Sequence, residues 1–170
     1  MEFSEIPTWF SEIGNGLDGA SLYLAIFSAA FLDSFLFTGL IVYGIALFGT
    51  GFYLLSNGLV EIHEIAAFAF LGAIVSDQLS YFLGKIVKDK IFHIWPLNKC
   101  SVTSKEKGYN LIEKYGCWGI LLGRFTAPLR PLTPVISAIL GMTYKKFLIA
   151  DLLSCFVWVM TWSAVLFFII

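Results

Sequence analysis

The sequence is short of charge. Only 14% of its 170 residues are Asp, Glu, Lys or Arg, against roughly 25% in an ordinary globular domain. A disordered chain, which needs high charge and low hydrophobicity, is excluded. Neither sign dominates: 11 basic residues face 12 acidic ones. The basic footprint of a nucleic-acid binder is missing, so no nucleic-acid partner is expected. Three cysteines, Cys100, Cys117 and Cys155, have no CxxC spacing. They are too few for a disulfide scaffold and read as small apolar fillers. Two histidines, His63 and His93, are too few for a zinc centre. His63-Glu64 opens an HExxH pattern, but Ala67 stands where its last histidine belongs. No GxSxG elbow and no GxxxxGK-Ser/Thr phosphate loop occurs. No metal, no cofactor and no enzyme activity is expected.

Apolar residues fill the space that charge leaves. They make up 58% of the chain, and mean hydropathy is +0.83. This composition predicts an all-α integral membrane protein of a single domain, residues 1–170. Residues 1–19 are a peripheral segment, in which Ile6, Trp9, Phe10 and Ile13 fit a short interfacial helix. Its acidic residues are the reverse of a signal peptide's basic start. Residues 20–56 hold a short apolar helix and then a stretch with Gly39, Gly44, Gly49 and Gly51. Such glycine density fits close packing or a broken, re-entrant loop. Residues 62–86 are long enough to span, since a crossing takes about 20 residues.

Residues 87–116 form a polar connector with an amphipathic helix from Ser104 to about Tyr115, stopped at Gly116. Seven of the eleven basic residues lie between Lys85 and Lys114, so the positive-inside rule makes this loop cytoplasmic. Residues 119–143 carry Pro128, Pro131 and Pro134, three prolines in seven positions. No regular helix interior tolerates that, and a second re-entrant loop is expected. Residues 147–170 form a last span. Two broken segments, each followed by a span of opposite direction, make an inverted repeat with about two to four full transmembrane helices, as in secondary transporters. An offset of 91 sets Asp33 opposite Arg124 and Gly39 opposite Arg130.

Ionisable groups inside hydrocarbon are costly and rarely idle. Five stand there: Asp33, Asp77, Arg124, Arg130 and Asp151. Ala66, Ala69, Ala73, Asp77, Tyr81 and Gly84 share one helix face, which places Asp77 and Tyr81 against protein. Asp151, Ser154, Trp158 and Thr161 share another stripe. The five tryptophans read mostly as an aromatic belt of boundary anchors. Arg124 and Arg130 flank Pro128 in an apolar loop. Guanidinium stays charged and its fork fits a phosphate or carboxylate, so an anionic headgroup arriving from the membrane is one reading. The other is that each arginine pairs with Asp33, Asp77 or Asp151 and holds the loops in place. A pair at rest that opens to admit a phosphate reconciles the two.

The run Gly123-Arg124-Phe125-Thr126-Ala127-Pro128-Leu129-Arg130, followed by Pro134, Met142 and Phe147, resembles the signature of the DedA family. This is also called the SNARE-associated Golgi protein or VTT-domain family. Gly72-Ala73 with Ser76-Asp77, Tyr81 and Gly84-Lys85 resembles a second family motif, and Asp33-Ser34 before Gly39 a third. The resemblance covers about residues 30–162. It departs at Asp33 for Glu, Tyr43 for Pro, Ser76 for Gly, Lys85 for Arg, Ala138 for Gly and Asp151 for Asn. It implies two re-entrant hairpins meeting between inverted repeats. It also implies movement of undecaprenyl phosphate or a phospholipid across the bilayer by a flippase or scramblase, with ion-gradient coupling in bacterial members. On that footing Arg124, Arg130, Pro128 and Tyr81 bind the substrate, with Tyr81 orienting Asp77. Asp33, Asp77 and Asp151 couple to a proton or cation. The location is the bacterial inner (plasma) membrane, the partner a membrane lipid with a phosphate headgroup, and a homo-oligomer is left open. A non-transporting envelope factor and a lipid-phosphate enzyme are the alternatives.

Overall fold

The computed structural model describes residues 19–42, 45–94, 97, 102–126 and 129–169. Pro128 and the interfacial segment around Trp9 lie outside these. Among the described residues every regular element is helical. We label them α1 (Gly19–Ser34), α2 (Gly39–Val42), α3 (Ile45–Ser56), α4 (Ile62–Val87), α5 (Val102–Tyr115), α6 (Cys117–Arg124), α7 (Thr133–Ile139) and α8 (Tyr144–Ile169). A 3-10 segment, Lys88–His93, continues α4.

Two helical stretches are long and apolar enough to cross a membrane, Ile62–His93 and Tyr144–Phe168. Their outer faces are apolar. Leu71, Val75, Leu79, Phe82 and Ile86 form an exposed stripe along α4, and Ile149, Leu153, Phe156, Met160 and Phe167 do so along α8. Water would penalise such contiguous apolar surface, whereas lipid does not. Both regions expected to be broken do break. Phe35–Thr38 turns the chain between α1 and α2, and residues 125–132 separate α6 from α7. None of α2, α3, α6 or α7, at 4, 12, 8 and 7 residues, approaches the length of a span.

Helix α4 is the centre of the packing, touching α1, α7 and α8. Its small residues explain this. A Cβ on Gly72 would stand 2.5 Å from the Phe27 carbonyl oxygen of α1, and one on Gly84 would stand 2.8 Å from that of Val135 in α7. Only glycine permits both approaches. The start of α4 is fixed by Glu64, which accepts the Glu61 backbone N–H at 2.8 Å and the Tyr23 hydroxyl of α1. Helix α5 ends at Gly116, whose positive φ of 55° lets the chain turn directly into α6.

The apolar core comes in two parts. One gathers Leu36, Tyr81, Ile91, Val135, Ile136, Phe147 and Ala150. The other gathers Ile26, Ala30, Leu47, Ile65, Ala69, Trp158 and Val159. On α1, α4 and α8 alike, the chain passes from one part to the other through buried polar residues: Asp33 and Ser34, Ser76 and Asp77, Asp151 and Ser154. A polar layer thus divides the molecule.

Candidate functional site

Each charged residue reaches the layer from a place where helix geometry delivers it. Asp33 sits in the last turn of α1, where the turn at Phe35 begins. Gly39 follows so closely that a Cβ there would meet the Asp33 carbonyl oxygen at 2.5 Å and the Pro131 Cβ at 3.3 Å. The two broken segments therefore touch beside Asp33. Asp77 lies on the small-residue face of α4, as its spacing predicts, and is 1% exposed. Arg124 closes α6, Arg130 lies in the turn before α7, and Asp151 is in the second turn of α8.

The five charges sort into two groups. Arg130 pairs with Asp33 through Nη1, and its Nη2 donates to Ser34 Oγ at 2.8 Å. Its guanidinium lies over the Trp158 ring, 3.9 Å from the centroid. Arg124 pairs with Asp77 through Nη2, while its Nη1 donates to Asp151 Oδ1 and to Ser154 Oγ, both at 3.1 Å. Asp151 Oδ2 accepts from the Gln78 side-chain amide at 2.8 Å. Cys155 Sγ sits 3.9 Å from Asp77 Oδ2 and 3.8 Å from Asp151 Oδ1. Such pairing is what permits ionic groups to be buried at all, because desolvation alone costs several kcal/mol per ion.

A cavity of about 170 Å³ opens on one side of the layer. Asp33, Arg124 and Arg130 contribute its charged wall, and Ser163 also lines it; Ile65, Ala69, Trp158, Trp162 and Leu166 are among its apolar lining. Asp77 and Asp151 are not part of that lining; Arg124, which is, bonds to both.

Tyr81 requires a correction. Its hydroxyl does not reach Asp77 but donates to the Met142 carbonyl at 2.6 Å, and its ring stacks on Phe147 at 4.4 Å. One turn beyond Asp77 on the same face is far enough for the phenol to belong to the apolar core. Trp158 requires another. It is 4% exposed and forms a plate between the arginines rather than a boundary anchor. Trp118, at 71% exposure, keeps the anchor reading. Cys155 is buried as expected, but Cys117 is exposed. Gln78 and Ser34 had no role assigned from sequence. Their only signal was adjacency to Asp77 and Asp33.

Two helices long and apolar enough to span, two broken segments and a buried layer of paired charges beside a mostly apolar cavity fit a helical membrane protein with an internal polar site. The VTT domain model matches residues 35–168, and the chain belongs to that family, the DedA family. Among its relatives, an uncharacterized membrane protein of Buchnera aphidicola (subspecies Schizaphis graminum) is 33% identical over 130 residues, covering 76% of this chain and 51% of that one. Inner membrane protein YabI of Escherichia coli is 28% identical over 135 residues, covering 79% and 53%. Protein DedA of Escherichia coli is 26% identical over 105 residues, covering 61% and 48%. The chain thus spans about half the length of these curated relatives. No solved structure matches.

Proposed function

We propose that this membrane protein moves a phosphate-bearing lipid, such as undecaprenyl phosphate or a phospholipid, across the bilayer as a flippase or scramblase rather than as an enzyme. The observation that carries the reading is the cavity wall. Two guanidiniums, one carboxylate and Ser163 face a mostly apolar space, and a guanidinium fork fits a phosphate. The headgroup would exchange for Asp33 on Arg130, while Trp158, Trp162 and Leu166 accompany the first carbons of the chain. In this reading the two broken segments are re-entrant hairpins that meet at Gly39 and Pro131, and the two halves are inverted repeats. The lysine-rich connector faces the cytoplasm of a bacterial cell, and Asp33 takes up and releases the coupling ion.

The test is headgroup flipping in liposomes by wild type and by Arg130→Ala, with several lipids. Flipping by wild type that falls to the protein-free rate in the variant supports the proposal. Equal rates overturn it. One observation favours a second reading, a non-transporting structural factor: both arginines are ion-paired. That reading takes the lead when purified wild type flips no lipid and its melting temperature ignores added lipid.

A further inference from the structure

The buried layer does not balance. Asp33 and Arg130 cancel one to one. Arg124 alone faces both Asp77 and Asp151. Fully ionised, that second group carries one surplus negative charge, and its members are 4%, 1% and 0% exposed. No solvent reaches them to bear it. The neighbours do not supply a cation either. Helix α4 presents Gln78 and Tyr81 beside Asp77, and Tyr81 is committed to Met142. Helix α6 presents only Arg124. The turn before α7 presents Arg130, which is committed to Asp33 and Ser34. Helix α8 presents Ser154 and the Cys155 thiol. Among the described residues no lysine or histidine pairs with either carboxylate.

Two further observations point to what is held there. Among the described residues Asp77 Oδ1 is buried with no hydrogen-bond partner, and a buried oxygen left so costs more when its carboxylate is charged than when it is neutral. One oxygen each of Asp77 and Asp151, with the Cys155 sulfur, lie within 4.8 Å of one another. Carboxylates crowded together cannot all stay ionised on a single counter-charge, and the pair then titrates as a unit.

We infer that Asp77 and Asp151 hold one proton between them at neutral pH, so that Arg124 faces a monoanionic pair and the buried layer is neutral. Arg124 touches both this proton site and the cavity, whose lining includes neither carboxylate. An asparagine in place of Asp151 would balance the layer without any proton. The extra proton is therefore a property of this chain's Asp151. The inference stands on the layer's geometry and does not require that lipid be moved.

Infrared spectroscopy of the purified protein in lipid nanodiscs tests it. Wild type at neutral pH should show a protonated-carboxyl C=O band that shifts in D2O. The band should disappear in Asp151→Asn and in Asp77→Asn, and persist in Asp89→Asn, which alters an exposed connector carboxylate. The Asp151→Asn substitution keeps the side chain's size and leaves Arg124 its Asp77 and Ser154 partners, so the variant should fold. If it does not, the wild-type and Asp77→Asn spectra still decide. A wild type without the band overturns the inference, as does a band that survives both substitutions. A missing band together with a sodium-dependent rise in melting temperature would also overturn it, in favour of a bound cation. A band that behaves as expected in a protein that flips no lipid upholds the proton site and sinks only the transport reading.

Discussion

Arg124 and Arg130 stand six positions apart in one proline-broken segment, yet they live differently. Arg124 is held by two carboxylates and a serine, each on α4 or α8, the two long helices. Arg130 is held by one carboxylate and one serine, neighbours at the end of α1, and lies on an indole. Both line the cavity. The difference is one of replaceability. Taking Arg124 away leaves the charge of the Asp77–Asp151 pair without a partner in a dry place. Taking Arg130 away leaves that of Asp33, which borders a cavity. The geometry thus casts Arg124 as the pin joining the spanning helices to the broken segment, and Arg130 as the group free to exchange partners.

The largest effect should come from the pin. Arg124→Ala removes the counter-charge of the fully buried Asp77–Asp151 pair, and breaking a buried pair by deleting one partner costs ~3–5 kcal/mol. An SDS-unfolding titration in micelles should place this variant near the upper end. Arg130→Ala should fall near the lower end, at about 3 kcal/mol, because Asp33 lines the cavity and water entering there can hydrate it. Equal losses, or a larger loss at Arg130, would erase the distinction between pin and exchanger.

The serines sharpen the same contrast at smaller scale. A hydrogen bond to a charged group contributes about 1.5–3 kcal/mol. Ser34→Ala removes the one polar partner besides Asp33 that Arg130 has among the described residues, and should cost about 2.5 kcal/mol. Ser154→Ala leaves Arg124 both carboxylates and should fall at the lower end, about 1.5 kcal/mol. The same unfolding titration reads both. A Ser154 loss exceeding that of Ser34 would mean that Arg124 is less well supported than its partner list implies.

Much of this arrangement was legible in the sequence, for identifiable reasons. Three-and-four spacing placed Ala69, Ala73, Asp77 and Gly84 on one face of α4, because a helix buries whatever its period gathers. Three prolines around Arg130 foretold the break between α6 and α7, since proline cannot donate a helical hydrogen bond. All five charged residues that the low charge content singled out lie in the one buried layer. The pairing did not follow from the sequence. The expectation that each arginine pairs with Asp33, Asp77 or Asp151 left the choice open, and Asp33 meets Arg130, 97 positions away, while Arg124 meets Asp77, 47 away. Partners are chosen by how the broken segments fold back, and no local period records that. Tyr81 misled because a shared face continues past the polar layer into the core. Trp158 was masked by its likeness to boundary tryptophans, whose composition signal is the same.

Trp158 also offers the finest test of the two arginines. Its ring centroid is 3.9 Å from the Arg130 guanidinium and 6.0 Å from that of Arg124. A cation above an aromatic face gains ~0.5–2 kcal/mol, more on indole than on benzene, and the gain falls steeply with distance. Trp158→Phe keeps an aromatic plate but weakens it, so the single variant should lose about 1 kcal/mol of stability. Part of that is packing, since Trp158 also fills the core beside Val159. A double-mutant cycle separates the two contributions. Pairing Trp158→Phe with Arg130→Lys should reveal a coupling of roughly 0.5 kcal/mol. Pairing it with Arg124→Lys should reveal none that the titration resolves. Lysine keeps each charge, so neither cycle is swamped by an orphaned carboxylate. A coupling to Arg124 as large as that to Arg130 would show the indole serving both cations alike, and the contrast between them would then rest on their carboxylates alone.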